Sequence, residues 1–151
     1  MQKKLILIIL IIGCLNSYSQ SKEDITDYLK SRIELYSERP SSVEISSCDF
    51  ILNTIMNIPG SSYKTKMISP MKELLDVMYV NDKQLWITLK FRSKCVSYTD
   101  IENNGSKNLW KYDDEINLFF SRGTLDNEEA KKIVSLVKKL GEICVAKVIK
   151  L

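Results

Sequence analysis

The 151-residue sequence contains no histidine and few glycines. Histidine is the side chain best suited to proton transfer near neutral pH, so its absence excludes the Ser–His–Asp and Cys–His nucleophile schemes and removes the commonest zinc ligand. A Ser–Lys pair is still chemically open, but no serine lies in a glycine-lined elbow. The five glycines are too far apart to form a loop that cradles phosphate groups. We therefore predict no catalytic, cofactor-binding or metal-binding residues.

The first twenty residues, MQKKLILIILIIGCLNSYSQ, have the three-part layout of a secretory signal peptide. Lys3 and Lys4 provide a positive start, residues 5–12 are apolar without interruption, and small and polar residues follow. The apolar run is about half of the roughly 20 residues that a membrane-spanning helix needs. We predict that residues 1–19 form a signal peptide that directs the chain out of the cytoplasm and is removed.

Two processing sites compete within this segment. Ser17-Tyr18-Ser19 has small residues at its first and third positions, which is the pattern that signal peptidase reads. Ile11-Ile12-Gly13-Cys14 instead resembles a lipobox, in which Cys14 is acylated, although Ile12 is bulky where a small residue is usual. We favour cleavage after Ser19, which gives a periplasmic or extracellular protein. Processing at Cys14 gives a membrane-anchored lipoprotein.

Cleavage after Ser19 leaves 132 residues, a normal length for one domain, and we assign residues 20–151 to a single domain. The leader has two lysines and no acid, so this domain carries 20 basic and 19 acidic side chains and a net charge of +1. Binding of nucleic acid requires a strongly basic, clustered surface. The charge balance therefore gives no support for a nucleic-acid partner.

Three cysteines belong to the mature chain, Cys48, Cys95 and Cys144. Export permits disulfides, but three thiols form at most one bridge, and the sequence leaves all three pairings open. Each cysteine has an apolar residue within two positions, and in apolar surroundings a free thiol behaves as a small hydrophobe. Three alternatives stay open: buried structural cysteines, one disulfide, or a reactive thiol.

The mature chain begins and ends with a predicted amphipathic helix. Ser21 with Asp24 is a relative of the capping box, and Pro40 ends the element, so the first helix lies near residues 22–37. In the second helix, over about residues 127–149, apolar residues recur every three or four positions.

Between the helices, alternating apolar segments separated by turn signals predict about seven strands. The first runs from Val43 to Met56 and changes parity at Ser46-Ser47, which we interpret as a β-bulge. The fold predicted is α+β: an antiparallel sheet or partly closed barrel of about seven strands, with an N-terminal helix and a long C-terminal amphipathic helix. The other six strands lie near residues 63–67, 77–80, 85–91, 95–101, 109–112 and 115–120.

The order of these elements over residues 43–149 resembles the pleckstrin-homology-like barrel, in which seven antiparallel strands are closed off by a C-terminal helix. The resemblance concerns element order and implies that fold alone. The chain also resembles small exported proteins of Gram-negative bacteria, which implies a place in the bacterial envelope. A plain antiparallel sheet with both helices on one face is the alternative.

Two charged clusters have ordinary structural interpretations. The acidic run Asp113-Asp114-Glu115 lacks the alternating acids and central glycine of an EF-hand, so we predict a solvated turn. The last helix carries several lysines, but the pairs Glu128–Lys132 and Lys138–Glu142 are spaced like helix-surface ion pairs. We predict a solvated helix face there rather than a surface for an anionic membrane.

Trp86 is the candidate contact for a partner. It alternates with Leu85, Ile87 and Leu89, so it points to the opposite face of its strand. An aromatic residue exposed on a sheet is a candidate contact for a protein or ligand. Burial beneath the N-terminal helix is the structural alternative.

Three functional hypotheses follow. The first is a non-enzymatic exported domain that binds a protein or another envelope component, of unknown identity, through a sheet face or loops. The second is a small hydrolase that uses carboxylates or a Ser–Lys pair. The third is a lipoprotein subunit of an envelope complex, anchored through Cys14. An exposed Trp86 on an open surface favours the first hypothesis, and a polar cleft around convergent acids favours the second.

Overall fold

The computed structural model describes residues 21–58, 61–82, 84–121 and 123–148. These residues form an α+β fold, as the sequence predicts, with helices at both ends and antiparallel strands between them. The predicted leader, with Cys14, lies outside them. The helices are α1 (Lys22–Tyr36), α2 (Asn127–Val148) and a short 3-10 helix (Met71–Glu73). The strands are β1 (Ser41–Ser46), β2 (Asp49–Ile58), β3 (Ser61–Pro70), β4 (Leu74–Asn81), β5 (Leu85–Phe91), β6 (Val96–Ile101), β7 (Lys107–Asp113) and β8 (Glu115–Phe120).

Helix α1 begins with the predicted capping interaction. The backbone N–H of Asp24 donates to Ser21 Oγ (3.1 Å), and the N–H of Ser21 donates to Asp24 Oδ2 (3.0 Å). These bonds satisfy N–H groups that a helix leaves unpaired at its start. Ile25, Leu29 and Ile33, four residues apart, are fully buried, so the apolar stripe of α1 faces the core.

Five strands form one antiparallel sheet, in the order β1-β2-β3-β6-β7. The predicted bulge at Ser46-Ser47 is wrong, because the chain reverses direction there: Ser46 pairs with Asp49 as the last register pair of a hairpin. Ser47 and Cys48 have positive φ, 48° and 70°, as both central residues of a type I′ turn do. This turn divides the first predicted strand in two, so the described residues contain eight strands rather than seven.

The other three strands form a second antiparallel sheet, in the order β4-β5-β8. Within the described residues the two sheets do not close into a barrel. Leu85, Ile87 and Leu89 of β5 and Ile116 and Leu118 of β8 are buried on one face, as their alternation predicts. Helix α2 packs against β4, the 3-10 helix and α1, so the core lies between the helices and the two sheets.

Helix α2 is held to the sheets by a close contact and by a covalent bond. A Cβ atom at Gly141 would lie 2.8 Å from Leu74 Cδ2, so the missing side chain permits the approach of the helix to β4. Cys144 of α2 forms a disulfide with Cys48 in the β1–β2 turn, with Cα atoms 5.6 Å apart. This is one of the three pairings that the sequence left open. Cys95 is a free, partly buried thiol, and burial raises its pKa.

Candidate binding site

Trp86 lies on the face of the three-stranded sheet opposite to the buried one. Its register partners are Val80 of β4 and Phe119 of β8, and residues paired across antiparallel strands share a face. The ring centroids of Trp86 and Phe119 are 6.4 Å apart and the rings are tilted by 49°, an ordinary aromatic contact. Trp86 is half-buried and Phe119 is 40% exposed. We refer to these two residues as the aromatic pair.

Residues 37–40, which connect α1 to β1, run alongside β8. The backbone N–H of Glu38 donates to the carbonyl oxygen of Phe119 (3.0 Å). At the other end of the connector, the carbonyl oxygen of Pro40 accepts from the N–H of Ile55 in β2 (3.0 Å). The connector is therefore hydrogen-bonded to both sheets, and it holds β8 beside the β1–β2 hairpin.

A cavity of about 90 Å³ lies between the connector, β8 and the five-stranded sheet. Its apolar wall contains Leu52 and Met67, which are register partners on β2 and β3, and Leu118 and Phe119 of β8. Phe119 therefore belongs both to the cavity wall and to the aromatic pair. The cavity and the pair are adjacent through this shared residue, and we name the two together the Trp86 site.

Most of the polar wall of the cavity is satisfied by hydrogen bonds within the fold. Asn117 Oδ1 accepts from the hydroxyl of Thr88 (2.6 Å), and Asn117 Nδ2 donates to Glu115 Oε1 (3.2 Å). The hydroxyls of Ser37 and Ser41 each donate to a backbone carbonyl oxygen. These groups are fixed in orientation and complete the structure of the wall.

Two polar side chains of the wall lack such a partner. Thr54 is 8% exposed, and its hydroxyl makes no hydrogen bond with any residue in the described part of the chain. Arg39 is exposed where the cavity meets solvent, and among the same residues its guanidinium forms no ion pair. The adjacent carboxylate of Glu38 accepts from the side-chain amide of Gln84 (2.6 Å). The cavity therefore joins an apolar interior to a free hydroxyl and a free cation.

Tyr98 joins the two sheets near this site. Its hydroxyl donates to the carbonyl oxygen of Glu115 (2.7 Å), and the ammonium group of Lys111 lies 4.3 Å from the centre of its ring. Burial, followed by the nearby carboxylates of Asp113 and Glu115, raises the pKa of Tyr98 to about 12. Tyr98 is therefore a neutral hydrogen-bond donor with a structural role.

The acidic run Asp113-Asp114-Glu115 forms the short connection between β7 and β8. Asp113 pairs with Lys111, and its Oδ1 accepts from the backbone N–H of Asp114 (2.9 Å). The hydrogen bond from Lys111 is the main cause of the lowered pKa of Asp113. A search of the described residues found no group of three side chains that could hold a metal ion.

The lysines of α2 form pairs different from those that the sequence predicted at a spacing of four. Glu128 pairs with Lys131, three residues later in the helix (2.8 Å), and Lys138 pairs with Asp76 of β4 (2.9 Å). The hydrogen bond from Lys138 is the main cause of the lowered pKa of Asp76. The second pair is tertiary, so the helix sequence alone gave no indication of it.

Sequence reasoning identified Trp86 but missed Phe119, Thr54 and Arg39. A signal existed for two of them. Phe119 is the outward aromatic residue in an alternating strand, which is the same pattern that identified Trp86. Thr54 lies two residues after Leu52, so both side chains point to the same, buried face of β2. A polar residue at such a position is unusual. Arg39 had no sequence signal, because its position depends on the path of the connector beside β8.

Searches of protein-family models, of curated proteins and of solved structures found no match to this chain. Among the described residues, no helix is both long enough and apolar enough to cross a membrane. Because no match suggests a function, the functional proposal that follows is based on the geometry of the Trp86 site.

Proposed function

We propose that this protein is a non-enzymatic binding domain of the bacterial envelope and that it binds its ligand at the Trp86 site. One observation carries the proposal: Phe119 both lines the cavity and packs against Trp86. Ligand sites typically join an apolar pocket to a few placed polar groups. Aromatic residues and arginine are also enriched at binding surfaces, and Arg39 lies in the same wall.

The ionisable side chain in the described cavity wall is that of Arg39. An arginine guanidinium stays protonated in proteins, so it donates hydrogen bonds and does not act as a general acid or base. It is suited to holding an anion in place. The hydrolase hypothesis instead requires carboxylates or a lysine that face the substrate, and the wall of this cavity contains neither. A second cavity, beside α2, does contain them, but its Lys138 and Asp76 are paired with each other (2.9 Å).

The place of the domain in the envelope is supported by two features of the chain. Residues 1–19 have the pattern of an export signal. The disulfide between Cys48 and Cys144 is a bond that persists in oxidising compartments outside the cytoplasm. Lipidation at Cys14 would tether the same binding domain to a membrane.

The proposal is tested by NMR fragment screening of the protein isolated after export. Separate pools of carboxylic acids, amines, amides, alcohols and aromatic compounds are titrated into the labelled protein. We expect at least one pool to shift the backbone amide resonances of Trp86, Phe119 and Arg39 together. In a Trp110→Phe background Trp86 is the single tryptophan, so its fluorescence reports the same binding event.

A matched pair of variants completes this test. Phe119→Ala removes one ring of the aromatic pair and should reduce the shifts at least tenfold at a fixed fragment concentration. Tyr112→Ala removes an aromatic side chain that is 57% exposed on β7 and should leave them unchanged. The proposal is wrong if no pool shifts the three resonances together, or if both variants behave alike.

A further inference from the structure

The cavity of the Trp86 site has the size of a short aliphatic group. Its volume is about 90 Å³. An apolar protein cavity of about 150 Å³ holds a benzene molecule, so on the same scale this cavity accommodates roughly four carbon atoms. A group as large as an aromatic ring exceeds this volume and would extend out of the cavity into solvent.

The cavity has a polar end and an apolar end. Thr54 is the register partner of Ser41, two residues after Arg39, so these three residues mark the polar end. Leu52 lies two residues before Thr54 on β2, and Met67 is its register partner on β3. Both are buried and form the apolar end. Two residues of a strand span about 7 Å. A ligand that fits both ends is therefore short and has its polar group at one end.

The charge at the polar end selects an anion. Arg39 is positively charged and unpaired within the described residues, and no carboxylate lines the cavity beside it. The planar guanidinium fork matches the geometry of a carboxylate, with which it forms charge-assisted hydrogen bonds. The hydroxyl of Thr54 is a further donor that no described residue uses.

We infer that the Trp86 site binds a carboxylate that carries a compact aliphatic group of about four carbons. The aliphatic group fills the cavity against Leu52 and Met67, and the carboxylate pairs with Arg39. This inference rests on the proposed function and names the chemical class of its ligand. Two sources supply this chemistry: a free branched short-chain acid, and the last residue of a peptide that ends in valine.

The first experiment uses the unmodified protein and two small probes of nearly equal shape. Isovalerate is the acid, and isovaleramide is its neutral counterpart. We expect NMR titration to give isovalerate a dissociation constant on the order of 1 mM. Its affinity should exceed that of the amide about tenfold, because a hydrogen bond to a charged group is the stronger kind.

Variants then assign the binding to the cavity. Arg39→Gln should weaken isovalerate binding about tenfold, and Arg39→Lys should restore part of the affinity. Arg92→Gln is the matched control, since Arg92 is an exposed arginine outside the cavity. Thr54→Val keeps the shape of the wall and should weaken binding about threefold through the loss of one hydroxyl.

A second pair of probes distinguishes the two sources. An acetylated tripeptide that ends in valine is titrated with its carboxyl group free and with the same group amidated. Binding of the free form at least tenfold tighter than isovalerate identifies a peptide C-terminus as the ligand. Binding of isovalerate with no binding of the peptide identifies a small acid. Either result supports the inference.

The inference is overturned if isovalerate and isovaleramide bind equally, if neither binds, or if Arg39→Gln has no effect. It is also overturned if 3-phenylpropionate, which is too large for the cavity, binds as tightly as isovalerate. If a different fragment pool still shifts the resonances of Trp86 and Phe119 in that case, the proposed function holds with another ligand class. If no pool does so, the proposed function fails as well.

Discussion

At the scale of single residues, hydrogen bonding around the Trp86 site is nearly complete. Buried Thr65, for example, donates to Asp100 Oδ1 (2.7 Å). A buried polar group without a partner costs roughly 1–3 kcal/mol. Thr54 makes no such bond among the described residues, but its hydroxyl is not one of the fully buried unpaired atoms, so it does not carry this cost. Thr54 and the unpaired Arg39 are the two side chains of the cavity wall that could accept a new polar partner without losing one within the described residues.

Tyr98 is a hydrogen-bonded side chain whose contribution to the free energy of unfolding depends on pH. Its pKa is about 12 in the folded protein, whereas an unfolded tyrosine ionises near 10. A raised folded-state pKa means that the stabilisation is complete below pH ~10 and is lost as the pH rises from about 10 to 12. Tyr98→Phe removes the hydrogen bond to Glu115, so urea unfolding at pH 8 should show about 1 kcal/mol lower stability. That difference from the wild type should shrink between about pH 10 and 12.

Tyr112→Phe is the control for this measurement. Tyr112 is 57% exposed on β7, so Tyr112→Phe should change the free energy of unfolding at pH 8 by less than about 0.5 kcal/mol. If the difference between Tyr98→Phe and the wild type stays constant from pH 8 to 12, the pKa of Tyr98 is not raised by folding.

At the scale of helices and strands, periodicity predicted most of the fold. Strand β8 has the predicted bounds, 115–120, and α2 differs from its prediction by one residue at its end. Both elements have one buried face, so apolar residues recur with a clear period of two or of about 3.6. The start of α1 was predictable for a different reason, because Ser21 and Asp24 satisfy the first N–H groups of the helix.

The missed features depend on local strain or on tertiary contacts. Neither Ser47 nor Cys48 is glycine, and positive φ costs other residues about 1–2 kcal/mol, so the pattern indicated a bulge instead of a turn. The cavity was not predictable, because it forms only where the connector joins β8 to β2. Trp86 could be found from parity, whereas its neighbour Arg39 could not.

The strain at Ser47 gives a prediction for the β1–β2 hairpin. Ser47→Gly should stabilise the protein by about 0.5–1 kcal/mol, because glycine adopts positive φ without a steric penalty. The greater freedom of glycine in the unfolded chain offsets part of the gain. Ser46→Gly, in β1 itself, should destabilise by about 0.5–1 kcal/mol. Urea unfolding of the two variants checks the prediction, and equal losses would show that Ser47 is not strained.

At the scale of the whole molecule, the disulfide and the Trp86 site lie at opposite ends of β1. Cys48 is in the turn that follows the strand, and Ser41 begins the strand at the cavity. A strand of this length spans about 17–20 Å. The covalent constraint therefore supports the fold from one end of β1, and the Trp86 site lies at the other.

This separation predicts that loss of the disulfide lowers stability but not binding. The bond joins residues 96 positions apart, and a link of about 100 residues stabilises by up to about 4.7 kcal/mol through the lost entropy of the unfolded chain. The double variant Cys48→Ala, Cys144→Ala should therefore lose about 2–5 kcal/mol in urea unfolding. Cys95→Ala, which removes the free thiol, should lose less than about 1 kcal/mol.

Binding is measured on the same double variant, at a temperature at which it is fully folded. The fragments that shift the resonances of Phe119 and Arg39 in the wild type should shift them by the same amount. Both residues lie on segments held by backbone hydrogen bonds at the cavity end, so we expect them to keep their positions without the disulfide. Should the double variant bind as weakly as Phe119→Ala, the two ends of β1 are coupled, and formation of the disulfide would then control binding as well as stability.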